Sequence, residues 1–83
     1  MVQPEEILKR LRARPFQPFR VVLKDGNHYE IRHHQNNIVY RWAVSIGIPK
    51  KGMEDSIADR VEFILLDQID HLEEVLTLTQ QAS

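Results

Sequence analysis

The sequence predicts a small, mostly β domain entered through an N-terminal helix. Three observations carry that expectation. Residues 4–14 hold apolar side chains at helical spacing and stop at Pro15. Phe19–Lys24 alternates apolar and polar residues up to Asp25-Gly26, and His28–Arg32 alternates back. Beyond residue 37 the apolar segments are short and rich in β-branched residues.

Size and composition agree with one unit. Eighty-three residues fall below the usual range of about 100–150 for a domain, so residues 1–83 are read as a single soluble domain. A chain this short buries only roughly 60% of its unfolded surface. Its 42% hydrophobic content fills one small core, and association of copies would add to a modest stability. There is no cysteine, so neither disulfides nor thiolate zinc can support the fold. No run of apolar residues is long enough to span a bilayer. Glu5, Glu6, Lys9 and Arg10 within Met1–Leu11 are not what a signal peptide carries, so none is expected. The expected location is the cytoplasm, with no membrane partner.

The helix is expected over 4–14. Pro4 suits a first turn, where its missing N–H is no loss. Glu5 and Glu6 sit at the positive end of the helix dipole, and Arg10, Arg12 and Arg14 near the negative end. Ile7, Leu8 and Leu11 form the apolar stripe. Pro15 ends it, because the residue before a proline avoids helical geometry. Pro15-Phe16-Gln17-Pro18-Phe19 then reads as an extended linker whose two phenylalanines anchor the helix to the strands.

Phe19, Val21 and Leu23 against Arg20, Val22 and Lys24 make a half-buried strand. Asp25-Gly26, or Gly26-Asn27, supplies the positive-φ residues of a hairpin turn. The returning strand sets Tyr29 and Ile31 opposite His28, Glu30 and Arg32. Residues 33–37 are polar and read as a bulge or loop. Ile38–Tyr40 and Ala43–Ile48 are strands about a turn near Arg41-Trp42, with Val44, Ile46 and Ile48 facing one way. Pro49–Gly52 ends this strand, and residues 53–59 form an acidic loop. Val61–Leu66 is continuous enough in apolar residues to be a strand buried on both faces. After Asp67-Gln68, the apolar spacing of Ile69, Leu72, Val75 and Leu76 admits a helix, or a short turn and an edge strand. The strand is preferred, because the span is short and follows a buried strand closely. Residues 77–83 are expected to fray.

A net charge of −1 conceals an asymmetry. Residues 1–24 hold six basic groups against two acids, and residues 25–53 four against two. Residues 54–83 hold Arg60 against eight acids. Either a basic binding face opposes an acidic one, or the two ends lie together and neutralise each other; the second is preferred.

Ile7–Arg14 followed by Phe19–Gly26 looks like the start of Sm-like proteins, including the Hfq-type RNA chaperones. Val61–Leu66, Asp67-Gln68 and Ile69–Leu72 are similar to their fourth strand, short turn and fifth strand. The resemblance implies a small five-stranded Sm/SH3-like barrel over 19–76, capped by the helix, in proteins that close into rings. The chain also resembles small uncharacterised bacterial proteins with a Pro-Phe-x-Pro-Phe linker and a Leu-x-Asp-Gly hairpin, on Leu11–Phe19 and Leu23–Ile31. Those relatives bring no activity. The departures weigh against an RNA pore. Tyr29-Glu30-Ile31-Arg32 lacks the second-strand glycine, and Asp67-Gln68 stands where the Hfq pattern has Lys-His and other Sm-like proteins have Arg-Gly. An acidic residue there would repel phosphate.

Catalytic and metal chemistry find little support. His33-His34 on an extended chain points its rings to opposite sides, and His28 and His71 add no ligand set. Ser45 and Ser56 lack a glycine-flanked elbow. Gly26, Gly47 and Gly52 match no phosphate-cradling loop. Arg41-Trp42 pairs a base-stacking ring with a cation, but core or interface packing is the expected use of Trp42. The sequence is therefore read as a non-enzymatic small-barrel interaction module that self-associates, without cofactor, metal or catalytic residues. The alternative is an Sm-like RNA-binding protein using Arg10, Arg12, Arg14 and Arg20; RNA is not the favoured partner.

Overall fold

A computed structural model describes residues 1–50, 52 and 57–75. Helix α1 spans Pro4–Arg12. The Glu6 carboxylate accepts from the Gln3 backbone N–H at 2.8 Å, which fixes its first turn. Ile7 and Leu11 face inward and are buried. The helix stops two residues before the expected Arg14, with Ala13 already extended. There the Arg14 guanidinium donates to the carbonyls of Leu11 at 3.2 Å and Ala13 at 2.7 Å. That satisfies an acceptor the helix end would otherwise leave open.

Six strands follow among the described residues: β1 Phe19–Leu23, β2 His28–Ile31, β3 Asn37–Val39, β4 Ala43–Pro49, β5 Ala58–Leu65 and β6 Ile69–Glu74. They form two antiparallel three-stranded sheets, ordered β2-β1-β6 and β3-β4-β5. This corrects the expected five-stranded Sm/SH3-like barrel over 19–76, for neither sheet closes. The break lies between β2 and β3. Asn37 Nδ2 donates to the carbonyls of His33 and Gln35 at 2.8 and 2.7 Å, curling the polar segment on itself. Asn36 is left-handed at φ 66°, and its carbonyl accepts from the Gly47 N–H at 2.8 Å. A Cβ at Gly47 would sit 2.7 Å from both the Cβ and the carbonyl oxygen of Asn36, so glycine alone admits this crossing without a shift. The chain therefore leaves one sheet for the other.

The hairpin β1–β2 is as the alternation predicts, with Phe19 opposite Ile31 and Val21 opposite Tyr29. Gly26 takes φ 94° in its turn. β3 and β4 turn about Arg41-Trp42, where the Tyr40 N–H meets the Ala43 carbonyl at 2.8 Å. A single 3-10 turn, Leu66–Gln68, carries β5 into β6. Of the two readings after Asp67-Gln68, the strand holds for Ile69–Glu74. The inner faces of both sheets and α1 enclose Ile7, Phe19, Val21, Ile31, Val44, Ile46, Ile64 and Ile69. Phe19 is fully buried and Phe16 half-buried, their rings 6.3 Å apart edge to face. The expected acidic loop falls largely on 53–56 and the expected frayed tail on 77–83, both outside the described residues.

Candidate interaction surface

Sheet β3-β4-β5 has one face on the core and one outside. Its register places Val44 opposite Ile64, and Ile46 opposite Glu62, on the inner face. The outer face then holds Ala43, Ser45 and Gly47 on β4, between Ile38 on β3 and Val61, Phe63 and Leu65 on β5. The central strand carries small residues and the flanking strands large ones. Ala43 and Ser45 are buried beneath these neighbours. The large residues stay open: Val61 is 60% exposed, Phe63 51%, Leu65 42% and Ile38 55%. Val61–Leu66 is thus not buried on both faces as the sequence suggested. It belongs to an edge strand with one face on the core.

Three rings crown this face. Tyr40 stacks on Trp42 with centroids 5.8 Å apart. Phe63 meets Trp42 edge-on at 5.5 Å and Tyr40 at 5.6 Å. Trp42 remains 57% exposed. Aromatic side chains bury about 150–250 Å² each when covered, so these half-open rings and aliphatics offer roughly 500 Å² of apolar surface. Patches of about 300–600 Å² are the largest on a typical monomer and are often functional.

The backbone at this edge has no strand partner among the described residues. The Leu66 N–H donates to the Trp42 carbonyl at 3.0 Å, and antiparallel bonding alternates along the strand. Ile64, Glu62 and Arg60 therefore turn their backbone groups toward β4, while Val61, Phe63 and Leu65 turn theirs away. The Leu65 N–H is taken by Gln68 Oε1 at 3.2 Å. Among the described residues no strand lies beyond β5.

The arginines singled out from the sequence lie at and just beyond the end of α1 (Arg10, Arg12 and Arg14) and on β1 (Arg20). The Arg10 guanidinium lies 5.6 Å from the Phe19 ring centroid. Arg12 is exposed on the last helical turn, and Arg14 caps the helix end. Arg20 lies on the outer face of sheet β2-β1-β6, bonded at 3.1 Å to Glu30 on one side and 3.1 Å to Glu73 on the other. Those hydrogen bonds raise the Arg20 pKa, Glu30 first and Glu73 second. The Arg20 bond holds the Glu30 carboxyl below the usual range. Glu73 is likewise lowered, first by His71 and then by Arg20. His71 bridges Asp70 at 2.6 Å and Glu73 at 3.1 Å, which raises its pKa, Asp70 first.

Ser45 is buried in mid-sheet. His34 packs edge-on against Phe16 at 6.1 Å. No group of three or more His, Cys, Asp or Glu able to hold a metal occurs among the described residues. No described helix is long and apolar enough to cross a membrane. The sequence signal for the surface itself was the alternation of Ala43, Ser45 and Gly47 with Val44, Ile46 and Ile48, beside Val61 and Phe63 separated by Glu62. No family model, curated protein or solved structure matches the chain.

Proposed function

We propose that the protein is a non-enzymatic, cytoplasmic interaction module that associates with a second copy of itself through sheet β3-β4-β5. The observation that carries this reading is the apolar outer face, with Val61, Phe63 and Leu65 exposed along a strand that has no outer neighbour among the described residues. A phosphate-binding role finds less support. Arg10, Arg14 and Arg20 are held by an aromatic ring, helix carbonyls and two carboxylates respectively.

Light scattering on the purified chain, read with its 260/280 nm absorbance ratio, tests the reading. A multiple of the single-chain mass at micromolar concentration and a nucleic-acid-free spectrum are expected. Single-chain mass at high concentration would overturn it. So would sub-micromolar binding of a uridine- or adenine-rich oligomer at physiological salt that is lost when Arg10, Arg12 and Arg14 become glutamine.

A further inference from the structure

We infer that the second copy pairs edge to edge with β5, antiparallel about a two-fold axis at Val61, joining the two β3-β4-β5 sheets into one. This rests on the self-association proposed above and adds its geometry. An unpaired edge carries backbone donors and acceptors ready for another strand. A two-fold axis perpendicular to the sheet keeps each face on its own side and places one residue opposite itself.

Charge and hydrogen bonding select that residue. An axis at Arg60 or Glu62 would set like charges directly opposite, which destabilises a strand pair. An axis at Phe63 would pair Val61 with the partner's Leu65, whose N–H is already held by Gln68 Oε1. An axis at Val61 avoids both. It sets Arg60 opposite the partner's Glu62 and Glu62 opposite the partner's Arg60. It also ends the pairing at Ile64, before the occupied Leu65 amide. Val61, whose backbone groups point outward, then bonds to the partner's Val61, and the outward-facing Phe63 lies opposite the partner's Asp59, at the bulge where β5 shifts register against β4. Arg60 and Glu62 already lie 3.3 Å apart within one chain, with side chains 62% and 35% exposed, so the partner's charges can join them. On the outer face Val61 meets its own copy, with Phe63 on the diagonal.

Arg60 and Glu62 occupy the face of β5 opposite the aromatic trio. Charges there matter to edge pairing and not to stacking of the two apolar faces. Arg60→Glu and Glu62→Arg are therefore made as separate chains, and dimer dissociation is measured by analytical ultracentrifugation, with circular dichroism to confirm folding. Each alone should dissociate roughly tenfold more readily, as two opposite-charge pairs become repulsive. Mixed one to one, they should form a heterodimer close to wild-type affinity. In that pairing every carboxylate of the Arg60→Glu chain faces a guanidinium of the Glu62→Arg chain. Neither chain regains its internal Arg60–Glu62 pair, so recovery reports the interface alone.

A second measurement uses the absence of cysteine. Val61→Cys should cross-link rapidly with a short bismaleimide, its Cα atoms being about 5.5 Å apart across the axis. Leu65→Cys should not, being displaced along the strands by about 26 Å. Dimers insensitive to the charge changes, or cross-linking equally at both positions, would overturn the edge pairing while leaving self-association intact. Pairing of β5 with the chain's own C-terminal residues would give monomers throughout and would overturn both.

Discussion

The two sheets share a plan and differ in how their outer faces are completed. Each has three antiparallel strands with one face on the common core. On β2-β1-β6 the outer face is charged and paired, with Arg20 clasped through its terminal nitrogens by Glu30 and Glu73, its buried Nε alone left without a partner among the described residues, and His71 set between Asp70 and Glu73. On β3-β4-β5 the outer face is apolar and ends on an open strand edge among the described residues. Water suits the first surface, whereas burial against a further apolar surface would stabilise the second. The difference teaches where to look for function in a small chain: at the sheet whose chemistry is incomplete.

Substitutions can separate the self-sufficient sheet from the unfinished one. The largest effect is expected where the sheets meet. Phe19 is fully buried, and Phe19→Ala should cost about 3–5 kcal/mol in urea unfolding. Next comes the crossing between the sheets. Gly47→Ala places a methyl 2.7 Å from the Asn36 carbonyl oxygen, and overpacking of this kind costs about 1–3 kcal/mol in the same assay. Phe63→Ser should cost the monomer only about 1 kcal/mol, from the half-exposed ring's contacts with Trp42 and Tyr40, while sharply raising the dissociation constant. Equal losses of stability and assembly in Phe63→Ser would show that the ring serves the fold.

The smallest effect should be in pH dependence, and it belongs to the charged sheet alone. His71 is raised in the fold, so its contribution is complete below its unfolded value of about 6.5 and is lost as pH rises through the folded value. Glu30 and Glu73 are lowered, so theirs is present above the unfolded value of about 4.3 and is lost as pH falls through the folded values. Melting temperature should therefore be highest between these ranges. His71→Gln should flatten the alkaline side, and Arg20→Gln the acid side. Unchanged profiles in both variants would show that the ion network adds nothing to the fold.

Much of the first sheet was legible because its signals are local. Asp25-Gly26 between two alternating runs specifies its own hairpin, and Phe19 sits on the apolar parity of that alternation. The second sheet depends on who pairs with whom. Val61-Glu62-Phe63-Ile64-Leu65-Leu66 carries apolar residues of both parities, which reads as a strand buried on two faces. Whether Val61 and Phe63 face core or solvent follows from which face of β3-β4-β5 packs on the core, with Val44, Ile46 and Ile64 inside, and no local pattern in Val61–Leu66 states that. Barrel closure failed for the same reason. It required β2 to pair on into β3, and the turn held by Asn37 with the left-handed Asn36 redirects the chain instead. Arg20 was legible as a cation but not as a clasped one, because its carboxylate partners lie 10 and 53 residues away.

Hydrogen exchange at the backbone amides of Val61 and Phe63, followed across protein concentration, tests edge pairing of β5 most directly. Both N–H groups point away from β4, where no strand lies among the described residues. Exchange should be rapid in dilute monomer, with protection that grows as the chains associate, while the Ile64 amide, bonded toward β4, stays protected throughout. Val61 and Phe63 exchanging at the same fast rate at every concentration, or remaining equally protected at all of them, would contradict it.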